Sequence, residues 1–245
     1  MRLDVYLYEN HLARSRTEAK NLITEGIVTV NGAVELKPSR EVCWTDSVVL
    51  SGDTPKYVSR GGYKLEGALS TFGIDVRGRL ALDVGASSGG FTDCLLQNGA
   101  VRVIAVDSGT GQLHASLRDD PRVFVKEQFN ARYMTAESLE YRPSVIVMDV
   151  SFISATCIIP SIYAVADEEA DFVCLIKPQF EVGRAGVGKN GIVKDESLRK
   201  AAIEKVVDCA RSVGFELVDH CQSPIKGGDG NVEFLAHFVK GGSNE

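Results

Sequence analysis

The chain has 245 residues, 44% of them hydrophobic and 24% charged, with 27 basic and 33 acidic side chains for a net charge of −6. A chain of this length and composition buries most of its apolar surface without staples, which excludes extensive disorder. The charge argues against bulk, sequence-independent binding to nucleic acid, and no apolar run approaches the roughly 18 residues of a membrane span.

The opening MRLDVYLYEN has no long apolar core and no small-residue cleavage site. No secretory signal is therefore expected, and the protein is expected in the cytoplasm. The six cysteines form no C-x-x-C pair and mostly sit in apolar stretches, as reduced buried thiols do. His11, His114, His220 and His237 are scattered, so no metal site is expected.

Residues 1–52 read as a small α+β module. Leu3, Val5, Leu7 and Leu12 begin it. Ser15 and Glu18 have the S-x-x-E spacing of a capping box, opening a helix through Ala19, Leu22 and Ile23 that Gly26 ends. Ile27–Val30 reads as a strand, Asn31-Gly32 as a hairpin turn, and strands near Val34 and over Val48–Leu50 complete the unit. Residues 53–60, within SGDTPKYVSR, read as a linker.

Over residues 61–240 the pattern changes. A helix is expected from Tyr63 to Phe72. Short apolar runs then alternate with helix-length segments at 90–98, 111–118 and 153–166. The runs are Leu80–Val84, Val101–Val106, Val123–Val125, Val145–Met148 and Phe172–Ile176. This is the rhythm of an α/β domain, a mostly parallel sheet with helices on both faces. A helix over Glu196–Val213 precedes two strands, Phe215–Cys221 and Val232–Val239, expected to pair antiparallel at the sheet edge.

The segment Asp83-Val84-Gly85-Ala86-Ser87-Ser88-Gly89-Gly90-Phe91 follows a strand and opens a helix. Glycines there let backbone approach a ligand, and helix N–H groups face it. Asp107 follows Asp83 by 24 residues, at the end of the next strand, where a carboxylate can accept both hydroxyls of a ribose. The dinucleotide pattern G-x-G-x-x-G is absent. The loop suits S-adenosylmethionine, whose amino-acid end carries no phosphate. An ordinary strand-to-helix turn is the plainer alternative. A second glycine-rich stretch, Gly183–Asn190, nearly matches a phosphate-binding loop, but Asn190 replaces the Mg²⁺-binding hydroxyl and no strand precedes it.

In a parallel sheet, ligands lie beyond the carboxyl ends of the strands. Asp149 and Lys177 fall there, each after four apolar residues. Glu233 lies where the last hairpin returns, and Lys64 enters from the helix after the linker. Each alone reads as an ordinary strand-end charge. Together, with both signs, they suit proton transfer: a lysine amine near a second cation, held by carboxylates, can deprotonate or orient a hydroxyl.

The stretches YVSRGGYKLEGAL, ALDVGASSGGFTDCLLQNGA, VIAVDSGTGQL, DPRV, MDVSFIS, LIKPQFE, GIVKD and SPIKGGDGNVEFL span nearly all of residues 57–235. Together they resemble the TlyA (haemolysin A) family within the FtsJ-like RNA 2′-O-methyltransferases. The departures are small: Gly62-Tyr63 where alanine and another residue are common, and Ser88 where threonine is common. The resemblance implies a Rossmann-like methyltransferase sheet and a Lys-Asp-Lys-Glu tetrad on Lys64, Asp149, Lys177 and Glu233. It implies methyl transfer from S-adenosylmethionine to a cytidine ribose 2′-oxygen in ribosomal RNA. The cofactor contacts it implies are Asp83, Gly85, Ala86, Ser87, Gly89, Gly90, Phe91 and Asp107. For the adenine, Glu127 and Asn130 both remain open.

The stretch LARSRTEAKNLITEGIVTVNG resembles an S4 RNA-binding domain, which implies phosphate contacts from Arg14, Arg16, Lys20, Lys37 and Arg40, with Arg60 ahead of Lys64. Residues 1–60 carry eight basic and eight acidic side chains, so only a local patch is available. RNA shape is expected to select the substrate more than bulk attraction does. Phe152 and Tyr63 are candidates for stacking on a base, with core filling as the alternative.

The short ends suggest large-subunit RNA as the acceptor, with small-subunit RNA less favoured, and a monomer is expected. Two other readings compete. A non-catalytic RNA-binding assembly factor would tolerate loss of Lys177. A membrane-active haemolysin finds no supporting segment.

Overall fold

In a computed structural model the chain divides into two compact units, Met1–Lys56 and Tyr57–Glu245. The structure describes residues 1–13, 15–24, 26–50, 55–183, 186–188, 191–228 and 230–241. Arg14, the start of the expected linker and much of the second glycine-rich stretch lie outside the described residues.

The smaller unit holds helices α1 (Leu3–Glu9) and α2 (Arg16–Thr24) and strands β1 (Val28–Val30), β2 (Ala33–Val34) and β3 (Val48–Leu50). Ser15 Oγ accepts the Glu18 backbone N–H at 3.1 Å, which fixes where α2 begins. Asn31 and Gly32 take φ of 55° and 81°, the left-handed pair that a two-residue hairpin needs. The Asn31 side chain accepts from Ser47 N at 2.8 Å and donates to Asp46 at 2.7 Å, tying the turn to the approach of β3. The strands run antiparallel in the order β2-β1-β3. Leu3, Leu7, Ala19, Ile23, Val28 and Val30 close a core belonging to this unit.

The larger unit starts earlier than the expected linker end. Tyr57 is buried against α3 (Gly61–Phe72), where any Cβ on Gly62 would overlap its ring. The Val58 N–H donates to Asp93 at 2.8 Å. An aromatic anchor thus draws Tyr57–Arg60 into the domain. After α3 come β4 (Leu80–Val84), α4 (Gly90–Gln97), β5 (Arg102–Val106), α5 (Ala115–Arg118), β6 (Val123–Lys126) and β7 (Val145–Met148). Then follow α6 (Ile159–Val165), β8 (Asp171–Ile176), α7 (Pro178–Glu181), α8 (Glu196–Val213), β9 (Phe215–Gln222) and β10 (Phe234–Lys240).

Among the described residues the sheet order is β6-β5-β4-β7-β8-β10-β9, with β4 to β8 parallel and the last hairpin antiparallel. Alternate residues of each strand face opposite sides. Leu82, Ile104, Ile146 and Phe172 meet α6 and α8 on one face, while Ala81, Val103, Val145 and Val173 meet α3 and α4 on the other. Burial on both faces explains why these strands read as unbroken apolar runs.

The details differ from the sequence pattern in three places. Only Ala115–Arg118 of segment 111–118 is α-helical. Segment 153–166 splits into a 3₁₀ turn (Ala155–Cys157) and α6, where Pro160 fits the first turn, whose N–H groups have no intrahelical acceptor. Of the last two strands only β9 lies at the edge, since β10 inserts between it and β8. The strand order reverses at β4, which leaves a crevice beyond the ends of β4 and β7.

Candidate active site

That crevice is a cavity of about 560 Å³ whose lining includes Gly85, Ser87, Asp107, Asn130 and Asp149. Gly85 takes φ +85°, and a Cβ there would overlap the Asp149 carbonyl oxygen, so the loop lies directly against the end of β7. The N–H groups of Gly85 and Ala86 both donate to Val106 O, at 2.8 and 3.1 Å, which ties the same loop to β5. Asp107 accepts from Ser87 N at 2.8 Å and from Gly109 N at 2.7 Å, one bond to each carboxylate oxygen. Each oxygen keeps a second lone pair, the capacity needed to accept from two neighbouring hydroxyls.

The remaining loop residues shape the cavity without lining it. Phe91 is core, packed among Leu65, Leu95 and Tyr57. Ala86 and the αL turn at Gly89, which lets α4 begin at Gly90, also stand outside the lining. Asp83 is fully buried behind the loop. Its Oδ2 accepts from Thr92 Oγ1 at 2.6 Å, and its Oδ1 has no hydrogen-bond partner among the described residues. Burial pushes its carboxyl up to about 7, against the lowering effect of the Thr92 hydroxyl, with Asp149 and Asp107 adding to the rise.

The two adenine candidates separate. Glu127 is held by Arg118 at 2.5 Å and by Gly111 N at 2.9 Å, outside the lining. Asn130 lines the cavity, and its Oδ1 accepts from Arg132 N at 3.1 Å to cap a 3₁₀ turn. Phe129, Gln112 and Ser151 line it too, and nothing in their local sequence marks them.

Lys64, Asp149, Lys177 and Glu233 form two ion pairs. Lys64, on the first turn of α3, lies 2.6 Å from Glu233 Oε2, and both side chains are nearly buried. Lys177 Nζ lies 2.5 Å from Asp149 Oδ1 and donates its aligned hydrogen bond to Ser151 Oγ at 2.7 Å. The Asp149 contact is thus electrostatic, and Oδ1 has no aligned hydrogen-bond donor among the described residues. Phe234 pairs with Ile176 in the β8–β10 ladder, so Glu233 and Lys177 leave their strands side by side. Charges this enclosed are tolerated because each has an opposite partner.

The two aromatic candidates also separate. Tyr63 leans edge-on against Tyr57, centroids 5.3 Å apart. Phe152 is 93% exposed and held at φ +66°, its ring 5.4 Å from that of Phe180. Arg60 is exposed and donates to Lys226 O at 3.2 Å.

In the smaller unit the basic residues are partly engaged. Buried Asp4 accepts from both Arg2 and Arg16, and the Arg2 hydrogen bond leads in holding its carboxyl near about 2. Arg40 pairs with Glu35 at 2.6 Å, whereas Lys20 and Lys37 are exposed. Among the described residues no three His, Cys, Asp or Glu side chains gather as a metal site would require.

Residues 57–240 match the FtsJ-like methyltransferase family, and residues 1–48 match the S4 domain. Hemolysin A of Brachyspira hyodysenteriae is 46% identical over 98% of this chain and 100% of its own length. The 16S/23S rRNA (cytidine-2′-O)-methyltransferase TlyA of Mycobacterium tuberculosis is 45% identical over 96% of this chain and 88% of its own. A solved structure from Streptococcus thermophilus, described as a hemolysin, is 43% identical with a TM-score of 0.79, covering 98% of this chain and 88% of that one. Sequence, fold and the two matched domains agree: the chain belongs to the TlyA (haemolysin A) family of FtsJ-like methyltransferases, with an S4 domain ahead of the methyltransferase domain.

Proposed function

We propose that this protein methylates the ribose 2′-oxygen of a cytidine in ribosomal RNA, taking the methyl group from S-adenosylmethionine, with large-subunit RNA as acceptor. The observation that carries the reading is the set of two ion pairs, Lys64–Glu233 and Lys177–Asp149, the last of these residues lining a cavity whose Asp107 is held by two backbone donors. The M. tuberculosis relative is named for the same reaction on both subunit RNAs.

The residues fit the cofactor. Asp107 would take the ribose hydroxyls, while Asn130 and Phe129 would flank the adenine. The unpartnered Oδ1 of Asp83 places a potential negative charge behind the loop, suited to a cationic ligand. When bound, the cofactor supplies a methyl group made electrophilic by its sulfonium. The chain's own residues then handle the hydroxyl. Lys177 orients the 2′-OH or accepts its proton at Nζ, held in place by Ser151 and Asp149. Lys64 and Glu233 form the second ion pair, with Glu233 leaving β10 beside Lys177, so that neither buried charge is left unpaired. Phe152 offers an exposed aromatic face on which the target base can stack. Lys20, Lys37 and Arg60, with what remains free of Arg16 and Arg40, would position the RNA backbone.

Methyl transfer from radiolabelled S-adenosylmethionine to unmodified large and small subunits, in separate reactions, tests this. Label is expected on a ribose of the large-subunit RNA and is expected to vanish with Lys177→Ala. No label in either subunit, with cofactor binding intact, would favour a non-catalytic assembly role. No described helix is long and apolar enough to cross a membrane.

A further inference from the structure

Glu181 closes α7, four residues after Lys177, and its side chain is 2% exposed. Its carboxylate is fully engaged. Oε1 accepts from Ala155 N at 2.7 Å, and Oε2 accepts from Ser154 Oγ at 2.5 Å and pairs with Lys205 Nζ of α8 at 3.0 Å. Lys205 also donates to the Glu181 carbonyl oxygen at 2.9 Å. A buried carboxylate carries a desolvation cost that an apolar side chain would avoid. Packing of α7 on α8 alone does not explain the acid.

Its partners do. Ser154 and Ala155 belong to the loop after β7 that carries Asp149, Ser151 and Phe152. That loop is fastened twice to the segment after β8. Ser151 accepts from the Lys177 amine, and three residues later Ser154 and Ala155 donate to Glu181. Only Phe152 and Ile153 lie between the two fastenings. A large residue at φ +66° is strained and persists only where its surroundings over-determine it.

We propose that Glu181 is a positioning residue for the methyl transfer: with the Lys177–Ser151 contact it pins the loop at both ends, keeping the Lys177 amine in place and Phe152 presented outward. The proposal rests on the methyltransferase reading of this site. Glu181 itself touches no reacting atom.

Three measurements on the full chain test it. Hydrogen exchange compares the wild type with Glu181→Ala. Faster exchange confined to residues 149–158 and 178–182 is expected, and unchanged exchange there would overturn the pin whether or not the protein is active. Steady-state transfer to ribosomal subunits is expected to show kcat at least tenfold lower. The Kd for S-adenosylmethionine and the KM for the subunit should stay within about threefold. A parallel loss of cofactor affinity would mean general damage and overturn the proposal. A double-mutant cycle with Phe152→Ala comes last. Because Glu181 acts on Phe152 as well as on the Lys177 amine, the double variant should lose less kcat than the product of the two single losses, whereas fully multiplied losses would overturn it. Should Glu181→Ala fail to fold, Glu181→Gln, which keeps an acceptor for Ala155 N, is judged by the same criteria, with a smaller loss of kcat expected. A wild type that labels neither subunit would defeat the functional reading and leave the exchange result to decide the pin.

Discussion

Asp83 is a carboxyl whose protonation the fold controls. In an unfolded chain an aspartate titrates near about 3.9. Here burial pushes the group up to about 7. A folded-state pKa above the unfolded one means that the native state binds the proton more tightly. The associated stability is full below about pH 4 and is lost as pH rises to about 7. Asp83→Asn removes this titration, so its melting temperature should fall less between pH 5 and pH 8 than that of the wild type. Parallel melting curves across that range would assign the titration to another group. The ionised form is also the one that favours a cationic cofactor. Wild-type affinity for S-adenosylmethionine should therefore rise across pH 6 to 8 by calorimetry, with a flatter profile in the variant. Asp83, Asp149 and Lys177 were visible in the sequence because a charge within or after an apolar run demands a partner. Ser151 and Glu181 were not. Their roles come from bonds across the sheet, Ser151 to a lysine 26 positions away and Glu181 to a serine 27 positions back, and no local pattern encodes those.

The ends of β4 and β7 work as one element because Gly85 permits it. Alanine there would take an unfavourable left-handed φ, costing about 1–2 kcal/mol, and would press on the Asp149 carbonyl oxygen for roughly 1–3 kcal/mol more. Gly85→Ala should lower the melting temperature and abolish both cofactor binding and transfer. A stable variant with intact binding would show that the loop has room to move. The loop at Phe152 predicts the opposite balance. Its side chain is exposed, so Phe152→Ala and Phe152→Gly should both impair transfer while the domain stays folded. Gly should melt at the higher temperature of the two, since it alone takes φ +66° without strain. Equal melting points would mean that the loop relaxes once the ring is gone. At this scale the sequence was informative where burial is two-sided. Val145–Met148 and Phe172–Ile176 read as strands because both their faces are covered. It was less informative where long-range pairing decides: the place of β10 between β8 and β9 follows from which edge accepts it. The split of segment 153–166 was signalled only by Pro160, within a stretch whose apolar period otherwise reads as one helix.

The two units have separate cores, and on the proposed division between chemistry and RNA reading, charge limits how the reading can be done. The chain is acidic overall, and residues 1–60 balance eight basic against eight acidic side chains. Asp4 and Glu35 already engage Arg2, Arg16 and Arg40, so Lys20, Lys37 and Arg60 are the freer cations among those expected to meet phosphate. Each phosphate neutralised contributes a slope of about −0.7 to −0.9 to the dependence of log K on log salt. Contact with about two to four phosphates therefore predicts a loss of affinity for ribosomal RNA of roughly ten- to a hundredfold between about 50 and 200 mM salt. Six to ten contacts would lose about a thousandfold or more. Replacing Lys20 and Lys37 together by alanine should flatten the slope by about 1.4 to 1.8 and leave cofactor affinity unchanged. A thousandfold loss in the wild type would show that a broad basic face does the reading. A shallow slope unmoved by the double variant would place the phosphate contacts on the methyltransferase domain. The expected intermediate slope fits a small domain that recognises RNA by shape, since few charges can hold a backbone in register but cannot by themselves select one site among many.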